Sequence, residues 1–147
     1  MSAAVVTAPA SPLIDAVQVM VSERTSALPV VADGRLVGVL TDRDIVVRGV
    51  AAGLDLQAAC VGDVASSGLV YVRPNQPVGH ALLLMAAHQL RRVPVVDDSL
   101  RVIGTITQVD IARSPAARRR AATAASLKPP GLLPISRGNG ERSRRRR

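Results

Sequence analysis

The residues best suited to ligand chemistry stand in two copies of one short motif. Each copy has a glycine, a threonine three residues later and an aspartate three residues after that: Gly38, Thr41 and Asp44, then Gly104, Thr107 and Asp110. A threonine hydroxyl and the free N–H groups at a helix start can bind an anion such as phosphate. An ionised aspartate accepts two hydrogen bonds, which suits the adjacent hydroxyls of a ribose. The same spacing also describes a capping box, in which both side chains satisfy backbone N–H groups and bind no ligand.

The two motifs belong to a longer internal repeat. A displacement of 65 positions aligns Pro9 with Pro74 and residues 29–31 with residues 94–96, both Pro-Val-Val. One extra residue in the second copy then brings the two motifs together at a displacement of 66. Two copies are too few for a solenoid, which needs at least three stacked units. The sequence therefore predicts a duplicated half-domain whose two halves bury a common face.

Each copy predicts the order strand, helix, strand, strand, helix, so the fold class is α+β (mixed α/β). The first strands are expected at 5–7 and 69–72, and each following helix has a proline suited to its first turn. Helical spacing is carried by Leu13, Ala16, Val17 and Met20 in the first copy, and by Val78, Ala81, Leu82 and Met85 in the second. Hairpins are predicted from 28–32 with 36–40 and from 93–96 with 102–106, and the second helices start at Thr41 and Thr107.

Over residues 5–113 the chain resembles the CBS-domain family, named after cystathionine beta-synthase. The resemblance is carried by the duplicated Gly-x-x-Thr-x-x-Asp junction and by the Pro-Val steps at 29–30 and 94–95. It implies tandem CBS repeats related by a pseudo two-fold axis, without enzymatic activity. It further implies a regulatory module that binds an adenine nucleotide or related adenosyl ligand in the cleft between the repeats and signals to a protein partner. The implied ligands are AMP, ADP, ATP or S-adenosylmethionine, and the implied assembly is a homodimer.

The resemblance also implies a role for individual residues. Ribose would lie on Asp44 or Asp110, and phosphate near Thr41 or Thr107. Adenine would lie against the steps Leu28-Pro29 and Val93-Pro94, and the candidate charge partners for phosphate are Arg43 and Arg92. The second copy is preceded by the family's usual lead-in at Val61–Val64, and the first copy has none.

The positive charge of the chain lies at its C-terminal end. The formal net charge is +8, yet residues 1–114 carry nine Arg against ten Asp or Glu, and residues 115–147 carry nine Arg, one Lys and one Glu. The predicted organisation is a first repeat at 1–49, a connection at 50–64, a second repeat at 65–114 and a basic disordered tail at 115–147. Two alternatives stay open: a nucleic-acid-associated protein that binds through the Arg-rich tail, and a ligand-free pair that acts in protein contact.

Several function classes are excluded or disfavoured by composition. A single Cys60 excludes an internal disulfide framework and a cysteine-rich zinc site, and His80 and His88 are spaced too far apart to share a metal. The lone aromatic residue, Tyr71, disfavours stacking on single-stranded nucleic acid. No catalytic constellation, secretory signal or membrane-spanning stretch is recognised, so we expect a cytoplasmic chain with no metal and no required cofactor.

Overall fold

The structure is a computed structural model that describes residues 1–115 and 118–119. Its helices are α1 (Leu13–Ser22), α2 (Asp42–Asp44) with a π-helical continuation (Ile45–Val50), α3 (Val61–Val64), α4 (Val78–His88) and α5 (Gln108–Ala112). Its strands are β1 (Ala27–Ala32), β2 (Arg35–Thr41), β3 (Arg92–Val96) and β4 (Val102–Thr107). The predicted mixture of helix and strand is confirmed. The predicted tail lies almost wholly outside the described residues.

Two antiparallel hairpins form the sheet structure, one in each repeat. Strand β1 pairs with β2, and β3 pairs with β4. Both ladders contain an irregularity at the same place in the repeat, between Val30 and Val31 and between Val95 and Val96. The first hairpin closes through Asp33 and Gly34, whose φ angles of 52° and 77° lie in the left-handed region. That conformation favours the aspartate and glycine of this turn and fits the right-handed twist of a hairpin.

The predicted first strand of each repeat is reduced to a single parallel bridge, at Thr7 with Val30 and at Val72 with Val95. The Thr7 N–H donates to the Pro29 carbonyl, and the Val31 N–H donates to the Thr7 carbonyl. Extension of this ladder would need N–H donors from Pro29 on one side and Pro9 on the other. Proline has no N–H, so the prediction of full strands was wrong.

The segment before each repeat crosses over and pairs with the hairpin of the other repeat. Val39 and Ser66 exchange two backbone hydrogen bonds of 2.9 Å, and Thr105 and Ser2 exchange two of 2.9 and 3.0 Å. Gly38 makes the first crossing possible, because a Cβ at that position would overlap the Ser66 carbonyl oxygen. The glycine of the motif is therefore required by backbone packing.

The two repeats have separate hydrophobic cores, and the helix residues are less completely buried in the second repeat than in the first. In the first repeat Leu13 is 1% exposed and packs with α3 and both strands. In the second repeat Ala81 and Met85 are buried, as the helical spacing predicts, but Val78 and Leu82 are 42% and 39% exposed. All four residues lie on α4, so the helical spacing is confirmed, but only two of them face the core. None of the described helices has the length and apolar character needed to cross a membrane.

Candidate functional site

A capping box begins the second helix of the first repeat, as the motif spacing allows. The Thr41 N–H donates to Asp44 Oδ2 over 3.0 Å, and the Asp44 N–H donates to Thr41 Oγ1 over 3.1 Å. Thr41 has extended backbone angles, so the chain changes from strand to helix at this residue. The capping interpretation of the motif is confirmed for this copy, and both side chains are half-buried where they meet.

The second copy repeats this geometry with one additional bond. The Thr107 N–H and the Thr107 hydroxyl both donate to Asp110 Oδ2 over 2.9 Å, and the Asp110 N–H donates to Thr107 Oγ1 over 3.1 Å. These bonds hold the pKa of Asp110 below its usual value: the backbone N–H of Thr107 contributes most, and the Thr107 hydroxyl contributes next. The Asp110 carboxylate is therefore kept ionised as an acceptor.

The two aspartates differ in the state of their second oxygen. The Ser66 hydroxyl donates to Asp44 Oδ1 over 2.9 Å, so both oxygens of Asp44 accept hydrogen bonds from the protein. The described residues make no hydrogen bond to Asp110 Oδ1. Sequence reasoning missed Ser66. The repeat did not indicate it, because at the displacement of 65 Ser66 aligns with Met1, and Ser2 aligns with Ser67.

An open cleft of about 230 Å³ lies at the start of α2 and draws residues from both repeats. The first repeat contributes Thr41 and Arg43, and the second contributes His88 from the end of α4. The complete lining is Ser26, Thr41, Asp42, Arg43, His88, Gln89 and Leu90. A hydroxyl, a guanidinium group and an imidazole line this opening and can donate to an anionic group, while the Asp42 carboxylate beside them opposes it in charge. Neither Asp44 nor Asp110 is among the lining residues. Sequence reasoning had assigned no role to His88.

The residues predicted to contact adenine divide into two groups. Leu28 and Val93 are 1% and 0% exposed, so their side chains lie in the cores and only their backbone groups could meet a ligand. Pro29 and Pro94 line a narrow cavity between the two hairpins, together with Arg92. Its volume is about 20 Å³, enough for about one water molecule, so adenine would have to part the hairpins to enter it.

Arg92 joins the two repeats through Glu23. Its Nη2 donates to the Glu23 carbonyl oxygen over 3.1 Å, and its Nη1 lies 3.7 Å from the Glu23 carboxylate. Glu23 follows α1 of the first repeat, and Arg92 begins β3 of the second. The guanidinium group of Arg92 therefore lies at the junction of the repeats, where the Glu23 carboxylate is its ion-pair partner.

No metal centre is formed in the part of the chain that the structure describes. Within residues 1–115 and 118–119, no three or more His, Cys, Asp or Glu side chains lie close enough to hold an ion together. Cys60 is a half-buried free thiol at the start of α3, and its N–H donates to Asp63 Oδ2 over 2.8 Å.

The duplicated hairpins, the crossed lead segments and the paired capping boxes define a tandem CBS module. The sequence profile of the CBS domain matches residues 1–49 and 61–117, and the chain belongs to the CBS-domain family. Hypoxic response protein 1 of Mycobacterium tuberculosis is 45% identical over 102 residues, which cover 69% of this chain and 71% of that protein. The CBS domain-containing protein YhcV of Bacillus subtilis is 42% identical over 98 residues, 67% of this chain and 69% of that protein.

Solved structures share the fold. The crystal structure of Hypoxic Response Protein I with two coordinated zinc ions superposes with a TM-score of 0.64 at 40% identity, covering 77% of this chain and 92% of that one. CBS domain protein PAE2072 from Pyrobaculum aerophilum, complexed with AMP, has a TM-score of 0.64 at 25% identity, over 84% and 94% of the two chains. The CBS pair of protein MJ0100, in complex with 5′-methylthioadenosine and S-adenosyl-L-methionine, has a TM-score of 0.58 at 28% identity, over 77% and 89%.

Proposed function

We propose that this chain is a non-enzymatic regulatory module that binds an adenine nucleotide or a related adenosyl ligand between its repeats. The observation that carries the proposal is the cleft at Thr41, where Arg43 of the first repeat and His88 of the second converge. The relatives that bind AMP or S-adenosyl-L-methionine support the ligand class. AMP, ADP, ATP and S-adenosylmethionine are the ligands to test first.

The proposed roles of the residues follow from their donors and acceptors. Phosphate would occupy the cleft, where the Thr41 hydroxyl and the Arg43 guanidinium group can donate to it. For a phosphate at Thr41, the ribose would meet Oδ1 of Asp44, beside the Ser66 hydroxyl. For a phosphate at Thr107, it would meet Oδ1 of Asp110. Adenine would lie beside Pro29 and the backbone of Leu28, or beside the equivalent groups of the second repeat.

Arg92 is the proposed charge partner of a phosphate at the second motif. Its guanidinium group lies between the repeats and is held by Glu23, which a phosphate would have to replace. The Glu23 carboxylate lies 3.7 Å from the guanidinium group, too far for a hydrogen bond, so a phosphate at closer range would add charge-assisted hydrogen bonds that the carboxylate does not make. Glu23 then acts as an internal competitor of the ligand.

Signalling would use the difference between the free and the bound arrangement of the repeats. A ligand shifts such an equilibrium only as far as it binds one arrangement more tightly than the other. Exposed apolar residues on the second helices, Val46, Val47, Val50 and Val109, provide a surface for a homodimer or for a protein partner. Because the proposed ligand is a cellular nucleotide, we propose that the protein acts in the cytoplasm.

Thermal unfolding in the presence of the four ligands tests the proposal. At least one ligand should raise Tm of the full chain, because binding to the native state alone stabilises it. The rise should be smaller for Asp110→Asn, while the exposed Asp98→Asn variant, a matched control, should respond like the parent. If none of the four ligands changes Tm, the proposal of nucleotide binding is rejected. The assignment of the fold does not depend on this result.

A second candidate is a ligand-free pair that acts through protein contact. The observation that favours it is that Thr41 and Ser66 already donate to the two oxygens of Asp44, so the carboxylate has a structural role without a ligand. The Tm experiment separates the two candidates. The nucleic-acid alternative depends on the Arg-rich tail at 115–147, of which the structure describes only residues 115 and 118–119.

A further inference from the structure

The two hairpins meet at the starts of β2 and β4. The Leu36 N–H donates to the Leu100 carbonyl over 2.8 Å, and the Val102 N–H donates to the Gly34 carbonyl over 3.4 Å. The two bonds are equivalent, because residues 34 and 36 correspond to residues 100 and 102 at the displacement of 66. The pseudo two-fold axis that relates the repeats therefore passes through this contact.

Arg35 and Arg101 lie opposite each other at this axis. They are directly paired in an antiparallel bridge, so their side chains stand on the same face of the two strands. Both side chains are exposed, and Arg101 Nη1 lies over Gly34, 2.9 Å from where a Cβ of that residue would be. Within the described part of the chain neither guanidinium group forms an ion pair or a hydrogen bond. Like charges placed directly opposite are unfavourable, and an anion between them would relieve the repulsion.

Two aliphatic side chains flank the arginine pair. Alternation along a strand places Val37 on the face of Arg35 and Ile103 on the face of Arg101. Burial agrees with this, because the intervening Leu36 is buried while Val37 and Ile103 are 41% and 46% exposed. Since the strands run in opposite directions, the two aliphatic side chains lie on opposite sides of the arginine pair, each about 6.6 Å from it along its strand.

The charges around these four residues, the axial patch, limit what can bind there. Asp33 and Asp98 are exposed in the turns beside the two arginines, and they would repel an extended polyanion such as a nucleic acid. The third nearby carboxylate, Asp97, is engaged with the backbone, because its Oδ1 accepts two N–H groups over 2.9 Å. A second copy of the patch, or the Arg-rich segment 115–147, would add positive charge where an anion is needed.

We propose that the axial patch docks an extended segment of a partner protein with the pattern aliphatic-x-acidic-x-aliphatic. The acidic side chain lies between the two guanidinium groups, whose forked donors match a carboxylate. In an extended chain, side chains two residues apart stand on one face about 6.6 Å from each other, which is the spacing between the arginine pair and each aliphatic side chain. None of the four patch residues lines the Thr41 cleft, so this site goes beyond the proposed nucleotide site.

Urea midpoints of the full chain test the repulsion between the two arginines. Arg101→Gln should raise the midpoint at low ionic strength, and its difference from the parent should shrink at about 1 M salt, where charges are screened within about 3 Å. Arg91→Gln, at an exposed arginine outside the patch, is the matched control and should give a smaller rise. Equal rises for the two variants would show that the patch does not hold two charges close together and would overturn the proposal.

The probe for binding is the peptide acetyl-Gly-Val-Thr-Glu-Thr-Val-Gly-amide, titrated into the isotope-labelled full chain. We expect saturable amide NMR shifts at Val37 and Ile103, with none at Thr41 in the nucleotide cleft. Affinity should be weak, since a short peptide must order on binding. The same peptide with glutamine in place of glutamate should bind about tenfold more weakly or less, because the charge-assisted hydrogen bonds are lost.

Paired variants show whether the arginines of the patch carry this binding. The chain with Arg35→Gln and Arg101→Gln should bind the glutamate peptide at least about tenfold more weakly than the parent. The chain with Arg24→Gln and Arg91→Gln loses the same charge elsewhere and should bind within about twofold of the parent.

Three results would overturn the proposal. The first is the absence of saturable shifts at the patch, or equal affinity of the parent for the two peptides. The second is shifts at the patch with an oligothymidine and none with the peptide, which would assign the patch to nucleic acid. The third is shifts at the patch that depend on the concentration of the chain alone, which would assign it to a second copy.

Discussion

The Ser66 hydroxyl donates a hydrogen bond of 2.9 Å to Asp44 Oδ1, and this bond ties the lead segment of the second repeat to the motif of the first. The contact lies beside the backbone pairing of Ser66 with Val39. Asp44 therefore does two things at once: it caps a helix through Oδ2 and holds the crossing segment through Oδ1. A ligand that uses Asp44 Oδ1 has to share this oxygen with the Ser66 hydroxyl or displace it.

Ser66→Ala should lower the free energy of unfolding by about 1 kcal/mol, the usual net contribution of one hydrogen bond. The loss arises because Asp44 Oδ1 keeps its charge and loses its donor. Urea denaturation of the full chain measures the change. Ser67→Ala is the matched control, because Ser67 is exposed and makes no side-chain hydrogen bond within the described residues. Equal midpoints for the two variants would show that the Ser66 hydroxyl contributes nothing.

Gly38→Ala should destabilise the fold by about 2 kcal/mol or more, because the new methyl group meets the Ser66 carbonyl, a backbone atom. Gly104→Ala should cost less, since its nearest neighbours at 2.6 Å are atoms of the flexible Met1 side chain. Gly79→Ala meets nothing within 4 Å on an exposed part of α4, and it should be neutral or stabilising. Urea midpoints rank the three variants. An equal loss for Gly79→Ala would contradict the role assigned to the crossing segments.

Asp110 should make stability depend on pH in the acid range. Its pKa is lowered in the folded state, chiefly by the Thr107 N–H, and lies near 3.9 in an unfolded chain. The stabilisation is fully present above that value and is lost as pH falls through the folded pKa. The advantage of the parent over Asp110→Asn should thus be constant from pH 7 to about 5 and shrink below about 4.

Urea unfolding at several pH values between 7 and 3 measures this advantage. Thr107→Val removes the hydroxyl donor but keeps the N–H, so its pH dependence should be weaker than that of the parent. A difference between parent and Asp110→Asn that stays constant to pH 3 would show that the two folded-state bonds do not favour the ionised carboxylate.

Arg92→Ala should lower the affinity for a nucleotide much more than it lowers the free energy of unfolding. The ion pair with Glu23 is partly exposed, at 29% and 42% for the two side chains, so its loss should cost no more than about 1 kcal/mol. AMP affinity should fall about tenfold, because a charge-assisted hydrogen bond to phosphate is lost. Glu23→Gln should instead raise the affinity, because it removes the carboxylate charge that opposes a phosphate beside Arg92. Isothermal titration of both variants, with the exposed Arg91→Ala as control, checks these directions. An unchanged AMP affinity for Arg92→Ala would remove this residue from the site.

The sequence was sufficient to predict the hairpins, the caps and the family because these depend on local pattern. Proline positions, hydrophobic spacing and the Thr-x-x-Asp interval each act over a few residues. The first strands were wrong for a non-local reason: the proline of β1 removes a donor that only the paired segment would have used. That consequence becomes visible only when the pairing register is known.

The parts of the site that sequence reasoning missed come from contacts between repeats. Ser66, which was missed, meets the predicted Asp44 across 22 residues, and Glu23, also missed, meets the predicted Arg92 across 69. His88 reaches the Thr41 cleft from the other half of the molecule. Val78 is 42% exposed because no described residues cover this end of α4, which the local sequence pattern does not show. Periodicity identifies an apolar face but does not say what covers it.

Calorimetric titration of AMP into the full chain is the most direct test of a nucleotide bound between the repeats. We expect saturable binding by the parent, weakening by about tenfold or more in Asp110→Asn, and loss of measurable heat when Asp44→Asn is added. Binding of equal affinity by the parent and the doubly substituted chain would show that AMP lies elsewhere and would contradict the account.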